Sequence, residues 1–266
     1  MSRRHLTSRD NAHYKEWKLL ATSAQARRKA GQSLLDGVHL CVTYLEQLGQ
    51  PLCCIVGESA LANQEVQEIV ASCEQGGADV VSLPDNLFAP LSQVEHGIDV
   101  LFVVNTPSPT VPAQLRLSSV LLDQVQDPGN LGSVLRSAAA AGIRQVYCAP
   151  GTAQAWSPKV LRAGMGAHFV VDIFENVDLA SLIESAEIPV LATSSHTAQV
   201  LYDLDLTKPV AWLFGHEGKG VDPALLAAAS SRVAIPHLGN VESLNVAASA
   251  AVCFFEQVRQ QTRSQH

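Results

Sequence analysis

The sequence predicts an α/β protein of two layered units, and three observations predict it. Apolar segments of strand length alternate with helical segments along the chain. A Pro-rich stretch, Asn105 to Pro112, interrupts that alternation and reads as an extended, semi-rigid linker. Near the end, Val233 to Glu256 reads as a short strand, a Gly239-Asn240 turn and a long helix. That helix holds Ala247, Ala248, Ser249, Ala250 and Ala251, small side chains that let another backbone approach closely.

Taken in order, Asn11 to Ala30 reads as a helix with Trp17, Leu19 and Leu20 on its apolar side and Gly31 as its stop. Ser33 to Asp36 is a short strand, Val38 to Leu48 a helix, Pro51 to Val56 a strand, and Ala62 to Glu74 a helix ended by Gly76-Gly77. Asp79 to Leu83, a short helix over Asn86 to Ser92, and the strand Val100 to Val104 complete the first unit. The second opens on a buried-type strand, Ser119 to Asp123. Asp127-Pro128-Gly129-Asn130 then reads as a turn, with Asn130 or a neighbour capping a helix from about Leu131 to Ala141. Strands follow at Gln145–Cys148, Phe169–Val171, Pro189–Thr193, Val210–Phe214 and Arg232–Ile235. Loop and helix occupy Ala153–Ala163, helices Leu179–Ser185 and Pro223–Ala228, and the last helix starts near Leu244 behind a Ser243 cap. Domain limits of 1–105, a linker over 106–117 and 118–266 follow.

No run approaches the length of a membrane span, and the Arg-containing start leads into no apolar signal core. A cytoplasmic protein without a membrane partner is the expectation. The six cysteines have no CxxC spacing and sit mostly in apolar segments, so buried free thiols are expected and no metal. The formal charge of −7 argues against a polyanionic partner until its distribution is considered. Residues 1–29 carry Arg3, Arg4, Arg9, Lys15, Lys18, Arg27, Arg28 and Lys29 against Asp10 and Glu16, a net +6 that leaves −13 for the remainder. A basic arm on an acidic body is a footprint of nucleic-acid binding, with a solvated helix face as the equal alternative.

Three stretches can carry chemistry. Gly215 to Val221 (GHEGKGV) follows a strand but lacks the spacing of the dinucleotide and phosphate-loop fingerprints. Its glycines stand at the ligand-facing end of a parallel sheet, where Glu217 could accept from a ligand or pair with Lys219. Asp127 to Ala138 offers Asn130 and Arg136, which taken alone read as a helix cap and a surface charge. The third offers Ser243 and Asn245 around Leu244, and each stretch is weak evidence singly.

In this order, NLGSVLRSA, LFGHEGKGV and IPHLGNVESLNVAASAA resemble motifs 1, 2 and 3 of the TrmH/SpoU branch of the SPOUT RNA methyltransferases. The likeness covers about residues 118–260 and includes SPKVLRAGMGAHF between motifs 1 and 2. LLDGVHL and the basic start resemble the small RNA-binding domain that precedes many ribosomal-RNA 2′-O-methyltransferases of this branch. The resemblance implies a C-terminal SPOUT domain with a parallel sheet and a deep trefoil knot, behind a smaller α/β RNA-binding domain. It implies S-adenosylmethionine, left as S-adenosylhomocysteine, held by backbone groups at Thr193, Gly215, Ile235 and Leu244. It also implies a homodimer whose site is completed across the subunit interface. One position departs from the branch, Gly129, where His is frequent.

The implied reaction is in-line methyl transfer from a sulfonium to a ribose 2′-oxygen. The leaving group departs neutral, so the difficulty lies with the weakly acidic hydroxyl. Arg136 matches the catalytic arginine and Asn130 the motif 1 asparagine. The resemblance implies that Arg136 acts on the 2′-hydroxyl, even as its base, although a guanidinium holds its proton firmly. Arg136 is therefore expected to bind the adjacent phosphate and stabilise the developing alkoxide, with Glu217, Ser243 and Asn245 orienting it and the ribose. The eight basic side chains of residues 1–29 would hold the RNA, expected to be 23S ribosomal. The alternatives are a transfer-RNA 2′-O-methyltransferase and an RNA-binding protein that has lost catalysis. A nicotinamide oxidoreductase lacks its glycine fingerprint.

Overall fold

A computed structural model describes residues 3–94, 97–195, 197–240 and 243–263. The chain forms two compact units. One runs to Pro107 and includes Trp156–Phe169, and the other holds Ser108–Ala155 and the chain from Val170 onward.

The first unit begins with β1 (Arg4–His5), α1 (Ala12–Thr22) and α2 (Ala24–Ala30), followed by β2 (Gln32–Asp36) and α3 (Val38–Gln47). It continues through β3 (Cys53–Gly57), α4 (Gln64–Gln75), β4 (Asp79–Leu83), α5 (Asp85–Phe88) and β5 (Val100–Asn105). The strands order as β1-β4-β3-β5-β2, with β5 antiparallel to both its neighbours. The basic start is thus built into the fold and is not a free arm: Arg4 pairs with Asp79, and Arg3 with Glu74 at 3.5 Å. The single helix expected over 11–30 divides at Ser23. Its backbone is extended there, and its Oγ accepts from Ala26 N–H, so one residue closes α1 and caps α2. Gly31, at φ +61°, provides the left-handed stop. Tyr14, Trp17 and Leu20 of α1 bury against Leu34, Ile55 and Leu101 of the sheet.

The second unit holds β6 (Ser119–Leu122), α6 (Pro128–Ala140) and β7 (Gln145–Cys148); α7 (Pro158–Gly164) comes next in the chain. Then come β8 (Asp172–Glu175), α8 (Leu179–Glu184), β9 (Val190–Thr193), β10 (Ala211–Phe214), α9 (Pro223–Ala228), β11 (Ser231–Val233) and α10 (Val246–Arg263). The sheet is wholly parallel, in the order β11-β9-β10-β6-β7-β8. The segment 156–169, which a linear reading leaves with the second unit, packs in the first: α7 lies on β2, and Phe169 meets Tyr44 edge-on at 5.5 Å. For that reason Phe169–Val171 is not the strand expected there. Ala167–Phe169 is a 3₁₀ turn, and the strand begins at Asp172, paired with Gln145.

Two helix starts also differ from expectation. Asp127-Pro128-Gly129-Asn130 is the first turn of α6, with Asp127 as cap (Oδ1 accepts from Asn130 N–H at 2.8 Å) and Pro128 in the opening position its fixed φ suits. At α10 the cap is Asn245, not Ser243: its Oδ1 accepts from Ala247 N–H at 2.9 Å and Ala248 N–H at 3.3 Å. Val241 and Glu242 of the third motif lie outside the described residues. α10 packs on α6 and on β10, where Phe254 meets Phe214 edge-on at 5.8 Å and Trp212 Nε1 donates to Gln257 at 2.9 Å. Burying a side chain such as Phe254 stabilises by roughly 1.5–3 kcal/mol. All six cysteines are buried free thiols, and burial pushes that of Cys53 up to about 12, far from a nucleophile's range. Among the described residues, no helix is long and apolar enough to cross a membrane.

Candidate active site

The parallel sheet of the second unit presents the carboxyl ends of its strands to one cleft. Thr193 closes β9, Phe214 closes β10 and Val233 closes β11, and the loops that leave them line a space of about 870 Å³. This is where parallel α/β sheets bind ligands. Thr193, Gly215, Ile235 and Leu244, the four residues expected to meet a cofactor, all line it. Glu217, Ser243 and Asn245 line it too.

The loop from Gly215 to Val221 folds back on itself. His216 N–H donates to Gly220 C=O at 3.0 Å, Gly220 N–H returns a bond to His216 C=O at 2.8 Å, and Gly220 takes φ +72°. The turn is so tight that a Cβ on Gly215 would collide with the backbone of Gly220 and Val221. Beyond it, the buried carboxylate of Asp123, at the end of β6, accepts from Asp222 N–H at 2.7 Å.

Glu217 turns away from Lys219, and among the described residues the two form no ion pair. Its carboxylate accepts from Gln126 N–H at 3.2 Å, Asp127 N–H at 3.0 Å and Asn130 Nδ2 at 3.1 Å, at the amino end of α6. Asn130 Oδ1 in turn accepts from Asn245 Nδ2 at 2.8 Å. The direction of this chain is fixed from its far end. Because Asn245 Oδ1 accepts from the first amides of α10, its NH₂ must face Asn130, whose own NH₂ then faces Glu217. Burial works to raise the Glu217 pKa, but the Asn130 side chain and the backbone N–H groups outweigh it and hold the group below its ordinary value. An anionic Glu217 thus gathers three segments far apart in sequence.

Arg136 is not brought into this network. It sits on α6, about 9 Å along the axis from Asn130 at the usual helical rise, exposed and without an ion pair or side-chain hydrogen bond among the described residues. Ser243 lines the cleft but caps no helix among the described residues. Of the eight basic residues, Arg9, Lys18, Arg28 and Lys29 are exposed, and Lys15 faces Asp10 at 3.1 Å. Arg27 is turned inward, its guanidinium donating to Leu20 C=O at 2.7 Å, so the structure removes it from the solvent-facing set. Sequence reasoning missed Asp127, Asp123, His216 and the cleft-lining Ser194, Ser195, His237 and Ser249. Only Asp127 carried a readable signal, an N-cap residue followed by proline. No group of three or more His, Cys, Asp or Glu placed to hold a metal occurs among the described residues.

Known proteins share both the sequence and the frame. Residues 118–255 match the SpoU rRNA methylase family. The 23S rRNA (guanosine(2553)-2′-O)-methyltransferase RlmP of Bacillus subtilis (strain 168) is 29% identical over 255 residues, covering 95% of this chain and 98% of that protein. A 23S rRNA (uridine(2479)-2′-O)-methyltransferase of Streptomyces viridochromogenes is 28% identical over 270 residues, covering 97% and 92%. The crystal structure of the SpoU methyltransferase AviRb from Streptomyces viridochromogenes, in complex with AdoMet, superimposes with a TM-score of 0.86 at 25% identity, covering 95% of this chain and 98% of that one. The family match runs through every strand and loop that builds the cleft, and the chain belongs to the SpoU rRNA methylase family.

Proposed function

We propose that this protein transfers the methyl group of S-adenosylmethionine to a ribose 2′-hydroxyl of 23S ribosomal RNA, acting as a cytoplasmic homodimer. The observation that carries the reading is the union, in one cleft, of the four backbone-type residues with Glu217 and Asn245, which Asn130 links by hydrogen bonds. The cleft suits the cofactor in size and in chemistry: ligand sites of this kind span roughly 300–1,000 Å³, and its walls offer glycine and aliphatic backbone with few charges. Thr193, Gly215, Ile235 and Leu244 would hold it. When bound, it supplies an electrophilic methyl on a sulfonium whose departure is neutral.

The chain's own residues handle the nucleophile. Arg136 binds the phosphate beside the target ribose and stabilises negative charge as it develops on the 2′-oxygen. Asn130, Glu217, Ser243 and Asn245 orient the ribose, and the proton leaves through water or the phosphate. Arg136 stands apart from the Glu217 chain within one copy, and Leu238, Leu244 and Phe255 are left exposed on the same unit. Both features support a second copy that covers apolar surface and completes the site. The knotted threading is part of this reading, supported by the parallel order of the sheet and the closed Gly215–Val221 loop. The first unit is the RNA-gripping domain, through the exposed basic face of α1 and α2. Relatives that modify 23S rRNA align across both units, which supports that substrate.

The test is methyl transfer from labelled cofactor to 23S rRNA and to transfer RNA, with wild type and Arg136→Ala. We expect 23S rRNA to be labelled on ribose, and the variant to lose on the order of 10²-fold or more in turnover while still binding cofactor. Labelling of transfer RNA alone would replace the substrate, and near-normal turnover of the variant would remove Arg136 from the mechanism.

A further inference from the structure

One side chain closes the loop after β10, and the motif reading leaves it without a role. His216 Nδ1 accepts from Gly218 N–H at 2.9 Å and from Lys219 N–H at 3.3 Å, while the His216 and Gly220 backbones exchange two bonds. A ring nitrogen that accepts carries no proton, so the neutral ring bears its hydrogen on Nε2. The geometry is that of an Asx turn, in which a δ atom reaches the backbone N–H two residues on. Its setting makes the clasp consequential. Three glycines, Gly215, Gly218 and Gly220, give this loop much conformational freedom to lose. Glu217 stands inside the clasp, between the imidazole and its first donor, and must hold its carboxylate against the start of α6. His216 also lines the cleft itself.

We propose that His216 is a positioning residue: its unprotonated Nδ1 closes the Gly215–Val221 loop into a wall of the cofactor cleft and aims Glu217 at Asn130. The proposal rests on the cofactor reading above and deepens it. What the site requires is a δ acceptor, not an imidazole. Asparagine places Oδ1 at nearly the same point, leucine offers the bulk without the acceptor, and glutamine carries its acceptor one methylene too far.

Calorimetry with S-adenosylhomocysteine, paired with thermal melting, separates these cases on wild type, His216→Asn, His216→Leu and His216→Gln. Wild type should bind, and its failure would overturn the cofactor reading itself. Given binding, we expect the asparagine variant within about threefold of wild type and the leucine variant at least about tenfold weaker, the scale of losing acceptors to backbone donors. Leucine binding like wild type, or asparagine as weak as leucine, would overturn the role. Should the leucine variant fail to fold, glutamine decides: binding as tight as asparagine's rejects the δ-acceptor requirement, and clearly weaker binding upholds it.

Discussion

Asn245 Nδ2 donates to Asn130 Oδ1 across 2.8 Å, although 115 residues separate the two. One asparagine caps α10, the other sits in the first turn of α6, and Glu217 takes the far end of the relay. The arrangement around Glu217 is therefore a property of two helix starts held in register by side-chain amides.

That dual duty of Asn245 can be separated. Asn245→Asp keeps an acceptor for the amides of Ala247 and Ala248 but cannot donate to Asn130, and it sets a second carboxylate near Glu217. Asn245→Ala loses both roles, and loss of a cap costs about 1 kcal/mol. We expect the aspartate variant to melt close to wild type and to turn over on the order of 10-fold to 10²-fold more slowly, while the alanine variant also melts lower. Equal turnover in wild type and the aspartate variant would show that the relay does not matter to chemistry.

Glu217 gives a pH signature. Its folded pKa lies below the ordinary 4.5: burial pushes it up, but the hydrogen bonds from Asn130, Asp127 and Gln126 pull it further down. A depressed carboxylate contributes stability that is fully present above its unfolded value and is lost as pH falls through the folded one. The contact between the loop and α6 should thus survive acidification through the ordinary carboxylate range and fail only beneath it. The carboxyl carbon shift of Glu217, followed by NMR, reads this directly, and a midpoint at or above 4.5 contradicts it.

Gly215 is constrained by its neighbours. Because a Cβ there meets the backbone of Gly220 and Val221, even Gly215→Ala must open the loop, at a cost of about 1–3 kcal/mol typical of overpacking. Lower melting temperature and loss of S-adenosylhomocysteine binding should appear together. Gly129→Ala is the contrast: its Cβ would meet only the Asp127 carboxylate at 3.0 Å, the movable end of a side chain. Its melting temperature should shift far less, and a larger fall than in Gly215→Ala would refute the comparison.

Much of this arrangement was legible in the sequence, for identifiable reasons. The alternation of strands and helices survives single-sequence reading because apolar periodicity directly reflects burial. The three motifs carried Asn130, Glu217 and Asn245 to one place. What failed was chemistry that serves two ends. Asp127-Pro128-Gly129-Asn130 satisfies the rules for a turn and for a helix start equally well, and only the hydrogen bond from Asn130 N–H to Asp127 decides. Phe169 is apolar because it packs in the first unit against Tyr44, so the apolar run Phe169–Val171 mimicked a strand that begins only at Asp172. A two-residue strand such as β1 has no periodicity to detect, and the clasp of His216 leaves no trace in composition.

Counting charge likewise gave no geometry: of the eight basic residues of the start, Arg3 and Arg4 are held in ion pairs with Glu74 and Asp79, and the other six divide by environment into two experimental classes. Arg9, Lys15, Lys18, Arg28 and Lys29 keep their charges toward solvent on or beside α1 and α2. Each phosphate they neutralise releases counterions. Replacing them with glutamine should therefore weaken RNA binding and flatten its dependence on salt, by about 0.7 for every phosphate of single-stranded RNA that is no longer neutralised. Arg27 belongs to the other class, since its guanidinium is buried and donates to Leu20 C=O across the junction of the two helices. Arg27→Gln should lower the melting temperature, because a buried acceptor loses a charge-assisted bond worth about 1.5–3 kcal/mol, and should leave the salt slope as it was. Melting curves and filter binding at several salt concentrations distinguish the classes. If Arg27→Gln flattens the slope at unchanged stability, that side chain reaches RNA after all, and the helix junction must open when RNA binds.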